Sequence, residues 1–269
     1  MPNTKLGLYK IRRKREMKEL ASNKEWKKWG EIDPLFGVAT WQNKERDGSS
    51  PWTDQEFYQL GESDWKDFSR HWQMYGVNRE SCLEIGCGAG RITMQLALHF
   101  NQVHAIDVSE KMIEYAKNNI SSSSVAFHLT NGMDIPLADQ SVFSVFSTHV
   151  FQHFDSLSVA DRYFAEIART MKTDGTLMIH LPIYRWPSKS RILRMIFAAD
   201  KTIEDIRARG RRALMHHGMA KPSMRWLSYP IEYFYEVLPK HGFDDIELAV
   251  CVTKSNNDPH SFIFARKNI

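Results

Sequence analysis

The stretch Cys82-Leu-Glu-Ile-Gly-Cys-Gly-Ala-Gly-Arg91 decides the fold of this chain. A short apolar strand runs into three glycines, and an apolar helical pattern follows from Ile92. Glycines at such a strand-to-helix turn let the backbone bend tightly and let a ligand lie against the main chain. A dinucleotide-binding loop has the spacing GxGxxG. Here the third glycine comes one residue early and Arg91 stands in its place, which argues against a NAD or FAD site.

Strand and helix patterns alternate after this loop. Strands are predicted at 81–85, 102–106, 125–129, 142–148 and 176–182, and helices at 92–100, 109–119 and 157–171. Gly175 is expected to end the last of these helices in a left-handed conformation. An antiparallel hairpin is predicted at 245–253 and 260–265, with Ile246, Leu248, Val250 and Val252 on one face. The alternation predicts an α/β fold, in which helices cover both faces of a mostly parallel sheet.

Two polar positions near the strand ends are candidates for binding a nucleoside. Asp107 ends the second strand, 21 residues after Gly86, where a carboxylate can accept both ribose hydroxyls. The alternative is that Asp107 only caps the next helix, although Ser109 is already a competent cap. After the third strand, Asn131 and the backbone of Gly132 and Met133 are placed to contact an adenine edge.

This combination resembles the class I S-adenosylmethionine-dependent methyltransferases, in particular the group that acts on small molecules. The resemblance covers about residues 79–182 and 243–266. It implies a Rossmann-like sheet of seven strands in the order 3-2-1-4-5-7-6, with strand 7 antiparallel. It also implies S-adenosyl-L-methionine as cofactor and S-adenosyl-L-homocysteine as product.

The resemblance assigns a role to each part of the predicted cofactor site. Glu84 and the glycine loop would hold the methionyl end, Asp107 the ribose, and the remaining residues the adenine. The predicted cofactor-binding residues are Glu84, Gly86, Gly88, Gly90, Asp107, Val108, Met112, Asn131, Gly132, Met133 and Thr148. Many relatives carry Asp at the position of Asn131, whose amide can still hydrogen-bond the adenine amino group.

The fourth strand ends in Thr148-His-Val-Phe-Gln-His-Phe154, at the sheet edge where ligands bind in open α/β folds. Methyl transfer is an in-line displacement in which positioning supplies much of the rate, and an oxygen nucleophile often needs a base. His149 and His153 are candidate bases, and a packed structural histidine is the alternative for each. Their spacing could also suit a metal. No Glu lies between them as in HExxH and no third ligand is evident, so no metal site is predicted.

Three segments are distinguished along the chain: a basic helical arm at 1–30, an aromatic-rich helical cover at 31–78, and a methyltransferase core at 79–269 with a lid insertion at 183–225. Thr53 and Glu56 predict a capped helix start within the cover. Four aromatic residues of the cover are predicted to line the pocket: Trp52, Trp65, Trp72 and Tyr75. The alternative is a helical layer that only covers the sheet. His217, in the lid, is a weaker candidate base.

The charge of the chain is unevenly distributed. The 269 residues carry a net charge of +4, with 42% hydrophobic and 25% charged residues. Residues 1–30 hold ten basic and three acidic residues, and residues 183–225 hold eleven and three, so the rest of the chain is acidic. A basic lid favours an acceptor with a carboxylate or phosphate, although a solvated face explains the charge equally well.

The cysteine content and the lengths of the apolar runs also predict where the protein is found in the cell. Three cysteines without zinc or disulfide spacing predict a reducing, cytoplasmic setting. No run approaches the roughly 18 apolar residues of a membrane span.

The sequence thus predicts a methyltransferase for a small or medium organic acceptor, attacked at oxygen or nitrogen. One alternative is a tRNA or rRNA methyltransferase whose arm and lid bind phosphates. Against it stand the acidic core and the lack of a recognisable RNA-binding module. A second alternative is a regulator that binds S-adenosylmethionine without catalysis. The acceptor and the oligomeric state are left open.

Overall fold

A seven-stranded sheet forms the centre of the computed structural model, which describes residues 19–184 and 224–268. The strands are β1 Cys82–Ile85, β2 Val103–Asp107, β3 Val125–Leu129, β4 Val142–Ser147, β5 Met171–His180, β8 Phe243–Val252 and β9 Pro259–Lys267. Their order is β3-β2-β1-β4-β5-β9-β8, and β9 runs antiparallel to both of its neighbours. The predicted Rossmann-like topology is therefore confirmed. A separate parallel pair joins β6 Ile183–Tyr184 to β7 Tyr229–Pro230.

Seven α-helices flank the sheet in the described part of the chain. They are α1 Ala21–Ile32, α2 Pro34–Val38, α3 Asp54–Tyr75, α4 Thr93–His99, α5 Glu110–Asn119, α6 Leu157–Thr170 and α7 Ile231–Lys240. The predicted cap of α3 is present. Thr53 Oγ1 accepts from the backbone N–H of Glu56, while the Glu56 carboxylate accepts from the backbone N–H of Thr53.

The strands are apolar on both faces because helices cover both. Along β4 and β5, side chains point alternately to the two sides, as a period of two requires. Val145 and Ile179 pack on the side of α6 and α7. Phe146 and Met178 pack on the side of α3 and α4, against Trp72 among others. The result is three layers with a hydrophobic core on each side of the sheet.

The connection from α6 to β5 differs from the prediction. Strand β5 begins at Met171, directly after α6, so residues 172–175 belong to the strand. Asp174, and not Gly175, takes the left-handed conformation, with φ at 61°. Gly175 is needed for space, because a Cβ there would lie 2.4 Å from the carbonyl oxygen of Phe143.

The predicted hairpin is present, and β8 is the edge strand of the sheet. Leu248, Val250 and Val252 point to solvent and are 44–58% exposed, whereas Cys251 on the opposite face is buried. The pairing of β8 with β9 shifts between Asp244 and Glu247. Three residues of the apolar stripe predicted on β8 are thus uncovered, whereas Ile246 packs against the core.

The N-terminal part is more tightly packed than a solvated arm. Helix α1 crosses the predicted boundary at residue 30, and Asn23, Glu25 and Trp29 are buried. Gly30 allows α1 to approach α5, because a Cβ there would lie 2.3 Å from Ser109 Oγ. Residues 1–18 of the arm, and residues 185–223 of the lid with His217, lie outside the described residues.

No helix in the described ranges is long and apolar enough to cross a membrane. Cys82, Cys87 and Cys251 are buried and free.

Candidate functional site

A cavity of about 640 Å³ opens at the carboxyl edge of the sheet, where β1, β2 and β4 end. It is lined by the glycine loop, by the residues that follow these strands, and by α1 and the segment after α2. In open α/β sheets this edge is where ligands bind. Predicted residues at the cavity wall are Glu84, Gly86, Gly88, Asp107, Val108, Met112, Gly132, Thr148, His149 and His153.

The glycine loop is glycine-rich for two physical reasons. Gly86, Gly88 and Gly90 have φ of 72°, 52° and 87°, a region that residues with a Cβ rarely adopt. A Cβ on Gly88 would also lie 2.5 Å from Val38 Cγ2, and one on Gly86 would lie 2.2 Å from Val150 Cγ2. The loop can therefore present its backbone to the cavity only because side chains are absent.

Asp107 joins the end of β2 to this loop. Its Oδ2 accepts from the backbone N–H of Gly88 at 2.9 Å, and its Oδ1 accepts from that of Ser109 at 2.8 Å. Burial raises the pKa of Asp107, and the hydrogen bonds from backbone N–H groups oppose the shift. The backbone N–H of Val108 also hydrogen-bonds the carboxylate, whose two oxygens have about four lone pairs, so one remains for a hydroxyl donor. Capping and ligand binding are compatible at this residue.

Glu84 is a buried carboxyl beneath the loop. Its Oε2 accepts from Thr93 Oγ1 at 2.6 Å. Burial raises the pKa of Glu84 to about 7, while the hydrogen bond from Thr93 and the charge of Arg91 act in the opposite direction. A cationic ligand group beside Glu84 would favour its ionised form.

Arg91 fixes the loop to α3. It forms a buried ion pair with Asp64 of α3, 27 residues earlier in the chain. Gly61 lets the helix approach, since a Cβ there would lie 2.3 Å from the carbonyl oxygen of Arg91. In the sequence, Arg91 indicated only that the loop is not a dinucleotide loop. No local pattern related it to Asp64.

The side chain of Asn131 does not line the cavity. Its Oδ1 accepts from the backbone N–H groups of Met133 and Asp134, and its Nδ2 donates to Asp134 Oδ2 at 2.9 Å. The amide that was predicted to contact adenine is therefore hydrogen-bonded within its own turn. Met133 is likewise absent from the cavity wall, and Gly132 is present.

Asn23 of α1 supplies an amide at this point instead. Its Nδ2 donates to the carbonyl oxygen of Asn131 at 2.8 Å, and the side chain lies against Gly132. The two asparagines are 108 residues apart, so no local pattern could relate them.

The hydroxyl of Thr148 is a candidate ligand contact. Thr148 lines the cavity, and its Oγ1 is buried without a hydrogen-bond partner among the described residues. Buried polar atoms are normally satisfied, so a polar ligand in the cavity would complete this one.

The aromatic residues predicted to line the pocket lie elsewhere. Trp65 and Trp72 are buried between α3 and the sheet, with Trp72 Nε1 donating to Thr176 Oγ1 at 3.1 Å. The hydroxyl of Tyr75 donates to the carbonyl oxygen of Asp245 at 2.5 Å. Trp52 packs against Trp41, with ring centroids 5.4 Å apart. Trp65 and Trp72 belong to the apolar stripe of α3, which faces the sheet, whereas Trp52 precedes α3 and packs in a separate cluster.

Three other tryptophans line the cavity: Trp26, Trp41 and Trp226. They come from α1, from the loop after α2, and from the segment before β7. Their positions depend on long-range packing, which the periodicity of the cover did not indicate.

The two predicted histidines occupy different environments. Both ring nitrogens of His153 have partners: Nδ1 lies 2.8 Å from the carbonyl oxygen of Arg225, and Nε2 lies 3.1 Å from Gln152 Nε2. Burial lowers the pKa of His153 to about 4. His149 has an unusual φ of 58°, and its ring has no hydrogen-bond partner in residues 19–184 or 224–268. Burial also lowers the pKa of His149. Of the two, His149 has ring nitrogens open to a ligand.

An ion-pair cluster holds α1 over the cavity. Arg225 donates to both carboxylate oxygens of Glu25, at 2.8 and 3.1 Å, and pairs with Asp155. Ser22 Oγ donates to Asp155 at 3.3 Å. The cluster therefore joins α1, the segment after β4 and the chain before β7.

Comparison with known proteins agrees with this geometry. Residues 83–179 match the family model described as a methyltransferase domain. Over 112 residues the chain is 30% identical to O-methyltransferase rstn1 of Aspergillus nomiae. The matched region covers 40% of this chain and 48% of that protein. The chain thus spans about half the length of this curated relative.

Two solved structures share the fold over most of the chain. Magnesium protoporphyrin IX methyltransferase of Synechocystis PCC 6803, with S-adenosylhomocysteine bound, superposes with a TM-score of 0.56 at 16% identity, covering 92% of this chain and all of that one. The [4+2]-cyclase SpnF gives 0.57 at 15% identity, covering 92% and 96%. The cyclase shows that this fold serves more than one reaction. Together, the family match, the sheet order and the glycine loop identify residues 83–179 as a methyltransferase domain.

Proposed function

We propose that the protein transfers the methyl group of S-adenosylmethionine to a small or medium organic acceptor. The observation that carries this proposal is the convergence of the glycine loop, Asp107 and Glu84 on one cavity. The hydroxyl of Thr148, which has no partner in the described part of the chain, lies beside them. When bound, the cofactor supplies an electrophilic methyl group on a sulfonium. The glycines of the loop and the remaining lone pair of Asp107 fit such a ligand.

Each part of the site has a proposed task. Asp107 accepts a hydrogen bond from a ribose hydroxyl, and Glu84 with Gly86 and Gly88 binds the methionyl end. Val108, Met112 and Gly132 enclose the adenine, and Asn23 replaces Asn131 as the amide at its edge. These assignments follow from the placement of the residues around the cavity.

The acceptor is proposed to bind beside the tryptophans. A cavity of about 640 Å³ is within the range of about 300–1,000 Å³ for small-molecule sites. The rings of Trp26, Trp41 and Trp226 favour an acceptor with an apolar or aromatic body. His149 is the proposed base for an acceptor hydroxyl, because its ring nitrogens have no hydrogen-bond partner among the described residues. His153 is proposed to hold the cavity wall in place. His217 stays a candidate base predicted from the sequence.

Oxygen is the favoured site of attack, because the relative rstn1 is named an O-methyltransferase. An anionic group on the acceptor and a cytoplasmic location stay predictions from the charge and cysteine patterns.

The test is formation of S-adenosylhomocysteine with a panel of phenols, carboxylic acids, amines and total RNA, measured by mass spectrometry. We expect product with a small hydroxyl or amine compound and no methylation of RNA. Asp107→Ala should abolish product formation with the same acceptor. Labelling of RNA alone would favour the nucleic-acid alternative. Tight cofactor binding without any product from a broad panel would favour the regulatory one.

A further inference from the structure

Three histidines from three neighbouring strands meet in the wall of the cavity. His149 follows β4, His180 ends β5, and His260 is the second residue of β9. Because β9 is antiparallel to β5, its start lies at the edge where β4 and β5 end. All three residues line the cavity.

Their rings are close enough to share a ligand. One ring nitrogen from each histidine lies within 4.8 Å of one from each of the others. The ring centroids are 4.5 Å apart for His149 and His180, 5.1 Å for His149 and His260, and 5.2 Å for His180 and His260. A tetrahedral ion with metal–nitrogen bonds of about 2.0–2.1 Å places its nitrogens about 3.3 Å apart. Binding therefore requires a modest rotation of the rings toward one another.

The hydrogen bonds leave lone pairs for this purpose. Thr253 Oγ1 donates to Asn256 Oδ1 at 2.5 Å, so it accepts from His260 Nε2 at 3.2 Å and leaves Nδ1 with a lone pair. The ring of His149 has no partner among the described residues. His180 Nδ1 accepts from the backbone N–H of His149 at 3.2 Å. Coordination by His180 exchanges this one long hydrogen bond for a metal bond.

Charges of both signs lie near the cluster, since Arg91 acts on His149 and His260 and is itself ion-paired with Asp64. Two carboxylates, Asp64 and Asp258, and one guanidinium, Arg91, act on His260. Burial lowers the pKa of all three imidazoles and so favours their neutral form. Neutral imidazole is the form that binds a metal.

We propose that His149, His180 and His260 form a binding site for a divalent transition metal in the wall of this cavity. Imidazole ligands suit zinc and its neighbours, and three protein ligands leave a coordination position open to the cavity. An oxygen of the acceptor would take that position, and the metal would lower the pKa of its hydroxyl so that the proton passes to water. His149 would then be a ligand and not the base. This last role rests on the proposed function, whereas metal binding itself does not.

The sequence pattern could not indicate this site. His149 and His180 are 31 residues apart, and His260 follows after the whole segment that contains the lid. Only the order of strands β4, β5 and β9 brings them together.

The test is a titration of the tag-free full-length protein with Co²⁺ after treatment with EDTA and dialysis, followed by competition with Zn²⁺. We expect one equivalent of Co²⁺ to give the visible bands of a tetrahedral nitrogen site, and Zn²⁺ to remove them. His180→Gln and His260→Gln should each weaken Co²⁺ binding at least tenfold.

The matched control is His128→Gln. His128 pairs with His104 at 3.1 Å on strands β3 and β2, outside the cavity, so this variant should keep the affinity of the parent. Circular dichroism shows whether each variant is folded, and His149→Gln replaces any variant that is not. Absence of the Co²⁺ bands, or equal binding by His260→Gln, overturns the metal site. Because no cofactor or acceptor is present, this result is independent of whether the protein transfers methyl groups.

Discussion

Two separate requirements make position 88 a glycine: its backbone conformation and the space around it. Its φ of 52° requires a left-handed conformation, and the contact with Val38 leaves no space for a Cβ. The pattern predicted the conformation. The contact depends on α2, which lies 50 residues earlier and packs against the loop.

Replacing Gly88→Ala should therefore weaken cofactor binding. Left-handed backbone costs a residue with a Cβ about 1–2 kcal/mol, and the contact with Val38 forces the loop to move. We expect at least a tenfold rise in the Kd for S-adenosylmethionine by calorimetry. Gly242→Ala is the matched control, because Gly242 has φ of 76° but lies outside the cavity. It should lower the Tm and leave the Kd unchanged. Equal effects of the two variants on the Kd would contradict the role of the loop.

The raised pKa of Glu84 predicts how cofactor binding depends on pH. Burial raises its pKa to about 7, so below that pH the carboxyl is mostly neutral, with Thr93, Arg91 and Asp107 as its polar and charged neighbours. A bound ammonium group would favour the ionised carboxylate, so binding should release a proton below pH 7. The affinity should rise up to about tenfold per pH unit below pH 7 and level off above it. Calorimetry across this range tests the linkage, and Glu84→Gln should give a flat profile. A pH dependence that survives in Glu84→Gln would assign it to another group.

The tryptophans of α3 pack against the sheet, whereas Leu60 and Asp64 are its residues at the cavity wall. Trp72→Phe removes the hydrogen bond to Thr176 and part of a buried ring, so the free energy of unfolding should fall by about 2 kcal/mol. Its Kd for S-adenosylmethionine should not change. Trp41→Ala, at the cavity wall, should instead raise the KM for the acceptor at least threefold. A changed KM for the acceptor in Trp72→Phe, with an unchanged Tm, would indicate that Trp72 contributes to the pocket.

Helix α1 is held by buried charges. Glu25 is 2% exposed in its side chain and Arg225 10%, so Arg225→Leu should lower the free energy of unfolding by about 3–5 kcal/mol. Lys66→Ala removes an exposed pair with Glu62 and should cost less than about 1 kcal/mol. Denaturant unfolding compares the two variants. Equal losses would show that the cluster at α1 contributes no more than a surface ion pair.

The elements that sequence predicted well are those with local signals. The caps at Thr53 and Ser109, the strand 125–129 and the glycine loop all depend on residues within a few positions of each other. Trp65, Trp72 and Asn131 were misplaced because their surroundings are set by distant segments. Periodicity shows that α3 has an apolar stripe, but it does not show whether a sheet or a ligand covers that stripe.

At the scale of the whole molecule, the sheet order determines the site. The parallel strands β1, β2 and β4 bring Glu84, Asp107 and Thr148 to one edge, and this much could be predicted from the alternation of strands and helices. The antiparallel strand β9 brings His260 to the same edge. That contribution required knowledge of the strand register. The acceptor side is built by α1 and by the chain around Trp226, whose packing has no local signal.

The central claim is that this cavity binds S-adenosylmethionine through Asp107. Isothermal titration of the full-length protein with S-adenosylmethionine, compared with Asp107→Ala, tests it most directly. We predict one site per chain with a micromolar Kd, and an affinity at least tenfold weaker in the folded Asp107→Ala variant. The absence of binding to the parent protein, or an unchanged Kd in Asp107→Ala, would contradict the account.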